Sequence, residues 1–172
     1  MKEVSEKVKD YTIKTAQNWK MISYELLNEY KTNKENFEVI LHDVVGKGGG
    51  GVLRAVSDFP KFADYIYKQL PKIEKGSFDI FTEEKFKDKR ATSFISKICH
   101  ILNPRDYPII YDNYNRKNLN VINDDERHKK WNEIIKKYKK EQTGKESLED
   151  LYMIDSKLWA KGVPEYREGT SN

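Results

Sequence analysis

Apolar residues recur at three- and four-residue intervals along most of this chain, the period of helices that pack on one face. Val4, Val8, Tyr11, Thr15, Trp19, Ile22 and Leu26 keep that spacing up to the polar run Thr32-Asn33-Lys34-Glu35-Asn36, which predicts one long amphipathic packing helix or two abutting ones. Phe37 to Val45 is a brief apolar run that periodicity alone cannot type, and a short helix is preferred over a buried strand. Gly46 to Gly51, with Lys47 among them, predict a flexible loop, because consecutive glycines lose too much chain entropy to sit inside a helix.

Helical spacing resumes at Val52, Leu53 and Val56. Pro60 is placed to open a helix carrying Phe62, Ala63, Ile66 and Leu70, and Pro71 to end it. Thr82 before Glu83 and Glu84 reads as another helix start. Ala91, Phe94, Ile95, Ile98, Cys99 and Leu102 form the apolar stripe of the next helix, which places Cys99 in the core; Ser93, Ser96, Lys97 and His100 share the other side. Asn103-Pro104 stops that helix. Tyr107 to Tyr111 then runs extended and delivers Asp112, which is positioned to cap a helix from Asn113 to Asn120. Asn123-Asp124-Asp125-Glu126 precede Trp131, Ile134, Ile135 and Tyr138, a helix ending in lysines. Ser147 with Asp150 resembles a capping box ahead of Leu148, Leu151, Tyr152, Leu158 and Trp159, and Gly162 with Pro164 supplies a stop and a loose tail after 164. Strand-like alternation is confined to the run before Asp112. The pattern predicts an all-α protein, a compact single-domain helical bundle over residues 1–172.

Composition narrows the chemistry. No apolar run approaches the roughly 18 residues of a membrane span, and the first residues are charged, so neither an anchor nor a signal peptide is expected and the protein reads as cytoplasmic. One cysteine excludes an internal disulfide and a four-cysteine metal site. His42, His100 and His128 lack metal-ligand spacing, so neither metal nor cofactor is expected; His42, beside Asp43, reads as a hydrogen-bonded core residue. No Ser or Thr follows Lys47 as a phosphate-binding loop requires, which argues against nucleotide hydrolysis. The net charge of +4 conceals an asymmetry: residues 85–140 carry 15 Lys and Arg against 7 Asp and Glu, or +8, leaving −4 elsewhere. That concentration fits a DNA-facing surface, with Arg90, Arg116, Lys117, Lys136, Lys137 and Lys140 as phosphate contacts, and fits solvated lysine faces as well.

Lys97 and Asp112 are the pair with chemical potential. A lysine amine attacks a sugar C1′ only when unprotonated, which burial or nearby cations bring about near neutral pH, and a carboxylate beside it can stabilise an oxocarbenium-like charge or move protons. His100, one turn from Lys97, and Tyr111, next to Asp112, are the candidate supporting residues.

The run Ser93-Phe94-Ile95-Ser96-Lys97-Ile98-Cys99-His100, then Asn103-Pro104, Tyr107-Pro108-Ile109 and Asp112, resembles a segment of small bacterial proteins similar to the 8-oxoguanine DNA glycosylases of the helix-hairpin-helix superfamily. The resemblance covers residues 90 to 120, under a fifth of the chain. It implies the helical glycosylase scaffold, a base-excising DNA repair activity of hydrolase and lyase type, Lys97 as the nucleophile on the anomeric carbon and Asp112 as its assistant. Such an enzyme extrudes its target base, and Tyr107, Tyr111, Tyr114 or Trp131 would offer the stacking surface. Arg90-Ala91-Thr92-Ser93 stands where the superfamily's hairpin carries glycines. The same residues therefore also fit a non-enzymatic nucleic-acid or protein-binding module, as in a bacterial defence or mobile-element system. A monomer is expected in either case.

Overall fold

The computed structural model describes residues 2–46, 58–81, 89–121 and 127–162, and all regular structure among them is helical. The α-helices are α1 (Lys2–Tyr30), α2 (Lys34–Ile40), α3 (Phe59–Glu74), α4 (Lys89–Leu102), α5 (Asn113–Asn118), α6 (Arg127–Glu141) and α7 (Leu148–Gly162). A π-helical turn at Leu41–Gly46 continues α2, and a 3-10 turn at Phe78–Phe81 follows α3. The all-α expectation holds, and no described helix is long and apolar enough to cross a membrane. The expectations for Lys47 to Val56, for Thr82 to Glu84, for Asn123 to Glu126 and for the tail after 164 lie outside the described residues.

Several helix starts follow the capping chemistry of the sequence. Asn33 accepts the Asn36 N–H at 3.0 Å, so the ambiguous run from Phe37 is helical. Asp58 accepts the Lys61 N–H at 3.2 Å and starts α3 one residue before Pro60 is needed. Ser147 accepts the Asp150 N–H at 3.1 Å, the forward half of a capping box, and its hydroxyl donates to the Asp150 carboxylate at 2.8 Å.

Three expectations fail for identifiable reasons. Pro71 does not end α3; it sits exposed inside the helix, which runs on to Glu74. Beyond it Ile73 is fully buried, and the Asn103 side chain donates to the carbonyls of Ile73 at 3.0 Å and Glu74 at 3.3 Å. Packing and a borrowed cap outweigh one proline. The true stop is Gly76, at φ +68, whose N–H reaches the Ile73 carbonyl while that of Ser77 reaches Lys72. The second failure is the buried face of α1: Tyr11 and Ile22 are 72% and 54% exposed, whereas Gln17, Lys20, Ser23 and Leu27 point inward. The interior stripe of α1 is largely polar, so a search for apolar periodicity selects the wrong side. His42 is likewise no core residue; its side chain is 42% exposed, hydrogen-bonded to Asp43 and edge-on to Phe59.

The core has two apolar clusters. One joins Leu27, Phe37, Leu41, Phe62, Ile66, Ile73 and the α4 stripe Phe94, Ile95, Ile98 and Cys99, with Phe62 and Phe94 stacked at 5.0 Å. The other joins Ile109, Tyr111, Val121, Trp131, Ile135 and Leu158. α1 packs on α7 and α4, and α7 packs on α5. The buried polar residues of α1, α4, α5 and α7 meet where these helices converge.

Gly76 tests the α3 stop. A Cβ there would lie 2.5 Å from Asp106 Cγ, whereas one on Gly144, at φ +83, would meet nothing within 4 Å. Both alanine variants carry the left-handed backbone cost of about 1–2 kcal/mol. Only Gly76→Ala also displaces Asp106, so it should be the more destabilising of the two in urea denaturation; equal losses would show that the Asp106 contact relaxes freely.

Candidate functional site

Helix α4 is enclosed on both sides. Its apolar stripe enters the first cluster, and Thr92, Ser96, Lys97 and His100 on the other side are also buried. Lys97 is 8% exposed, and its amine lies over the Trp19 ring of α1 at 5.7 Å from the centroid. Burial drives the Lys97 pKa down from 10.5 to about 8, against the pull of the Asp112 carboxylate and then of Asp155; the Lys20 ammonium adds to the lowering. The expected lysine thus holds its proton less tightly than a free lysine, within electrostatic reach of the expected aspartate.

Asp112 caps α5, accepting the Asn115 N–H at 2.8 Å. The turn that carries it is fixed from both flanks. From α4, Ser96 Oγ accepts the Tyr111 N–H at 2.9 Å and donates to the Ser93 carbonyl at 2.8 Å. From α7, Asp155 Oδ1 accepts the Ile110 N–H and one Asn115 amide hydrogen, each at 2.7 Å. Asn115 also donates to the Ile110 carbonyl at 2.9 Å. The other Asp155 oxygen takes the Lys20 ammonium at 2.5 Å, and Lys20 donates a further bond to Ser156 Oγ at 3.0 Å. Burial pushes the Asp155 carboxyl up, but Lys20, His100 and the Ile110 amide together hold it below the usual carboxylate range. It is a buried anion.

His100 hydrogen-bonds the turn that leads to Asp112. Its Nδ1 lies 2.6 Å from the Tyr107 carbonyl, which can only accept, so Nδ1 carries the proton and Nε2 is a bare lone pair 4.0 Å from Asp155. Burial lowers its pKa from 6.5 to about 4, against the attraction of Asp155. The ring is neutral at physiological pH.

Three of the four aromatic candidates for base stacking, Tyr107, Tyr111 and Trp131, are core residues. Tyr107 is 2% exposed and donates its hydroxyl to the Ser77 carbonyl at 2.7 Å; Tyr111 and Trp131 meet edge-to-face at 4.8 Å inside the second cluster. Rings sealed by packing cannot receive a base. The Tyr114 and Arg90 side chains lie outside the described structure. Arg116 lies over the Tyr111 ring at 5.2 Å, which ties it to that cluster. Lys117, Lys136, Lys137 and Lys140 are exposed, whereas Lys139 is engaged with Asp106 at 2.6 Å.

Lys20, Asp155, Asn115, Ser96 and Trp19 were not legible as site residues. A signal existed for two of them: Asp155 falls four residues after Leu151 and three before Leu158, a charge placed on an apolar stripe, and Lys20 keeps the same register between Gln17 and Leu27. Among the described residues no group of three or more His, Cys, Asp or Glu could hold a metal. No protein-family model, curated protein or solved structure matches the chain.

The two shifted bases set a pH profile of stability. Unfolded His100 binds a proton below about 6.5 and folded His100 only below about 4, so stability falls as pH drops through that window. Unfolded Lys97 keeps its proton to 10.5 and folded Lys97 releases it near 8, so stability rises with pH between those values. Each slope is at most about 1.4 kcal/mol per pH unit. Lys97→Met, which keeps the stem and removes the amine, should raise Tm at pH 7 by about 2 °C or more and abolish the alkaline rise. A lower Tm at pH 7 would show that the amine stabilises the fold.

Proposed function

We propose that this protein is a DNA base-excision glycosylase with lyase activity, acting through a Schiff base on Lys97 and assisted by Asp112. One observation carries the reading: an enclosed lysine on α4, with its pKa near 8, stands within electrostatic reach of the carboxylate that caps the next helix. Retaining a buried amine there disfavours folding, which is the mark of a group kept for reactivity. The resemblance of residues 90 to 120 to helix-hairpin-helix glycosylases assigns the same two residues.

The chemistry follows from the two groups. The neutral Lys97 amine bonds to C1′ as the C1′–base bond breaks, and the electron pair leaves with the base, which takes up a proton. The Asp112 carboxylate offsets the positive charge that develops on the sugar. Of the two amine protons one passes to the departing base and the other to O4′ as the C1′–O4′ bond opens, which leaves an imine between Lys97 and C1′. Trp19, half-buried, presents its ring to the amine. Exposed Lys117, Lys136, Lys137 and Lys140 supply phosphate contacts.

Borohydride reduction on abasic oligonucleotides and a panel of damaged ones tests this. Wild-type protein should become covalently linked to DNA, Lys97→Ala should abolish the link, and Asp112→Asn should slow it by about tenfold or more with binding nearly intact, since the amide still accepts the Asn115 N–H. Replacing Lys136, Lys137 and Lys140 with Gln, leaving Lys139 on Asp106, should weaken binding to all sequences and reduce its salt dependence. Base release that survives Lys97→Ala would falsify the role of the amine.

A further inference from the structure

Asp155 and Lys20 are 1% and 3% exposed, and their ion pair joins α7 to α1 across the interior. A buried ion pair is weak evidence for stability, because packed apolar residues of similar volume commonly serve as well. The pair's other bonds give it a purpose. Asp155 Oδ1 receives the Ile110 N–H and the Asn115 amide, and Asn115 in turn gives its backbone N–H to Asp112. An apolar residue at 155 would orphan both donors and release the turn that carries Asp112. The Lys20 ammonium neutralises the carboxylate and acts as a second cation on the Lys97 side of the pair.

We propose that the buried Lys20–Asp155 ion pair is the positioning unit of this site: it locks the Ile110-to-Asp112 turn against α7 so that Asp112 stays with Lys97, and it imposes two opposed charges on the Lys97 amine. Both are positioning residues, acting on the reacting pair through hydrogen bonds and charge. The inference rests on the reading of Lys97 and Asp112 as that pair. The charged groups acting on Lys97 are Lys20 from α1, Asp112 from the start of α5 and Asp155 from α7; neutral His100, on α4 itself, stands beside Asp155.

The test reads the amine directly, without DNA. In protein labelled at the lysine ε-carbons, the Lys97 resonance is assigned by its loss in Lys97→Met and followed through a pH titration. Lys20→Met removes the cation and leaves Asp155 unneutralised, so the Lys97 midpoint should rise by about one pH unit. Lys20→Arg keeps the charge and should leave it near the wild-type value. Asp155→Asn should move it down, because the attracting anion is gone, and should slow borohydride trapping while abasic DNA still binds. If Lys20→Met does not fold, wild-type protein suffices: the Lys20 resonance, assigned by its loss in Lys20→Arg, should show an inflection at the Lys97 midpoint. Midpoints that stay put in Lys20→Met, or a Lys20 resonance blind to Lys97, overturn the inference. Should the midpoints move as stated while wild-type protein traps no DNA, the positioning role stands and the glycosylase reading falls. Trapping that needs Lys97 but ignores Asp155→Asn overturns the positioning role alone.

Discussion

The Asp155 carboxylate is the constraint on which the rest of the structure depends. It is buried and charged, and neither oxygen is left unmatched: one holds Lys20, the other holds Ile110 and Asn115. Four segments are registered by those bonds, namely α1, the turn after α4, the start of α5, and α7 itself. An anion removed from water is tolerable only when such partners converge on it, so the helices cannot slide against one another without exposing an unmatched charge. Apolar packing joins α1 to α4 in one cluster and places α7 in the other; the carboxylate decides how they are aligned.

The polar residues at this convergence also separate two kinds of work. The two apolar clusters supply the bulk of the burial that favours folding. The buried polar groups contribute little net stability, and Lys97 detracts from it, because a desolvated amine is held against its tendency to stay protonated. A chain selected for stability alone would fill these positions with leucine or methionine. What they provide is an ordered electrostatic field around one amine: Asp112 and Asp155 draw a proton to it, while Lys20 and burial expel it. The balance sets the Lys97 pKa near 8.

His100 shows how local chemistry settles a role that sequence position leaves open. One turn from Lys97, it could serve either the reacting pair or the adjoining turn. The Tyr107 carbonyl takes its Nδ1 proton and burial keeps the ring neutral, so it acts as a strut of the turn. Tyr111 is assigned in the same way. Its amide belongs to Ser96 and its ring to Trp131 and Arg116, which makes it a packing residue that happens to precede the cap.

The sequence by itself determined most of the helices and two of their caps, and it singled out Lys97 and Asp112 as candidates. Periodicity and side-chain capping are short-range effects, so the starts at Asp112 and Ser147, the apolar stripe of α4 and the stop after Leu102 could be read from neighbours a few residues apart, whereas the caps at Asn33 and Asp58 emerge only in the structure. Lys97 and Asp112 stood out for the same reason, being fifteen residues apart and joined by a proline-containing turn. Tertiary structure alone decided which face of α1 turns inward, that α3 survives Pro71, and that Lys20 meets Asp155 across 135 residues. Those outcomes depend on burial and on partners distant in the chain. A polar residue is acceptable inside a protein only when its partner is already there, and a pattern of apolar spacing carries no record of that partner.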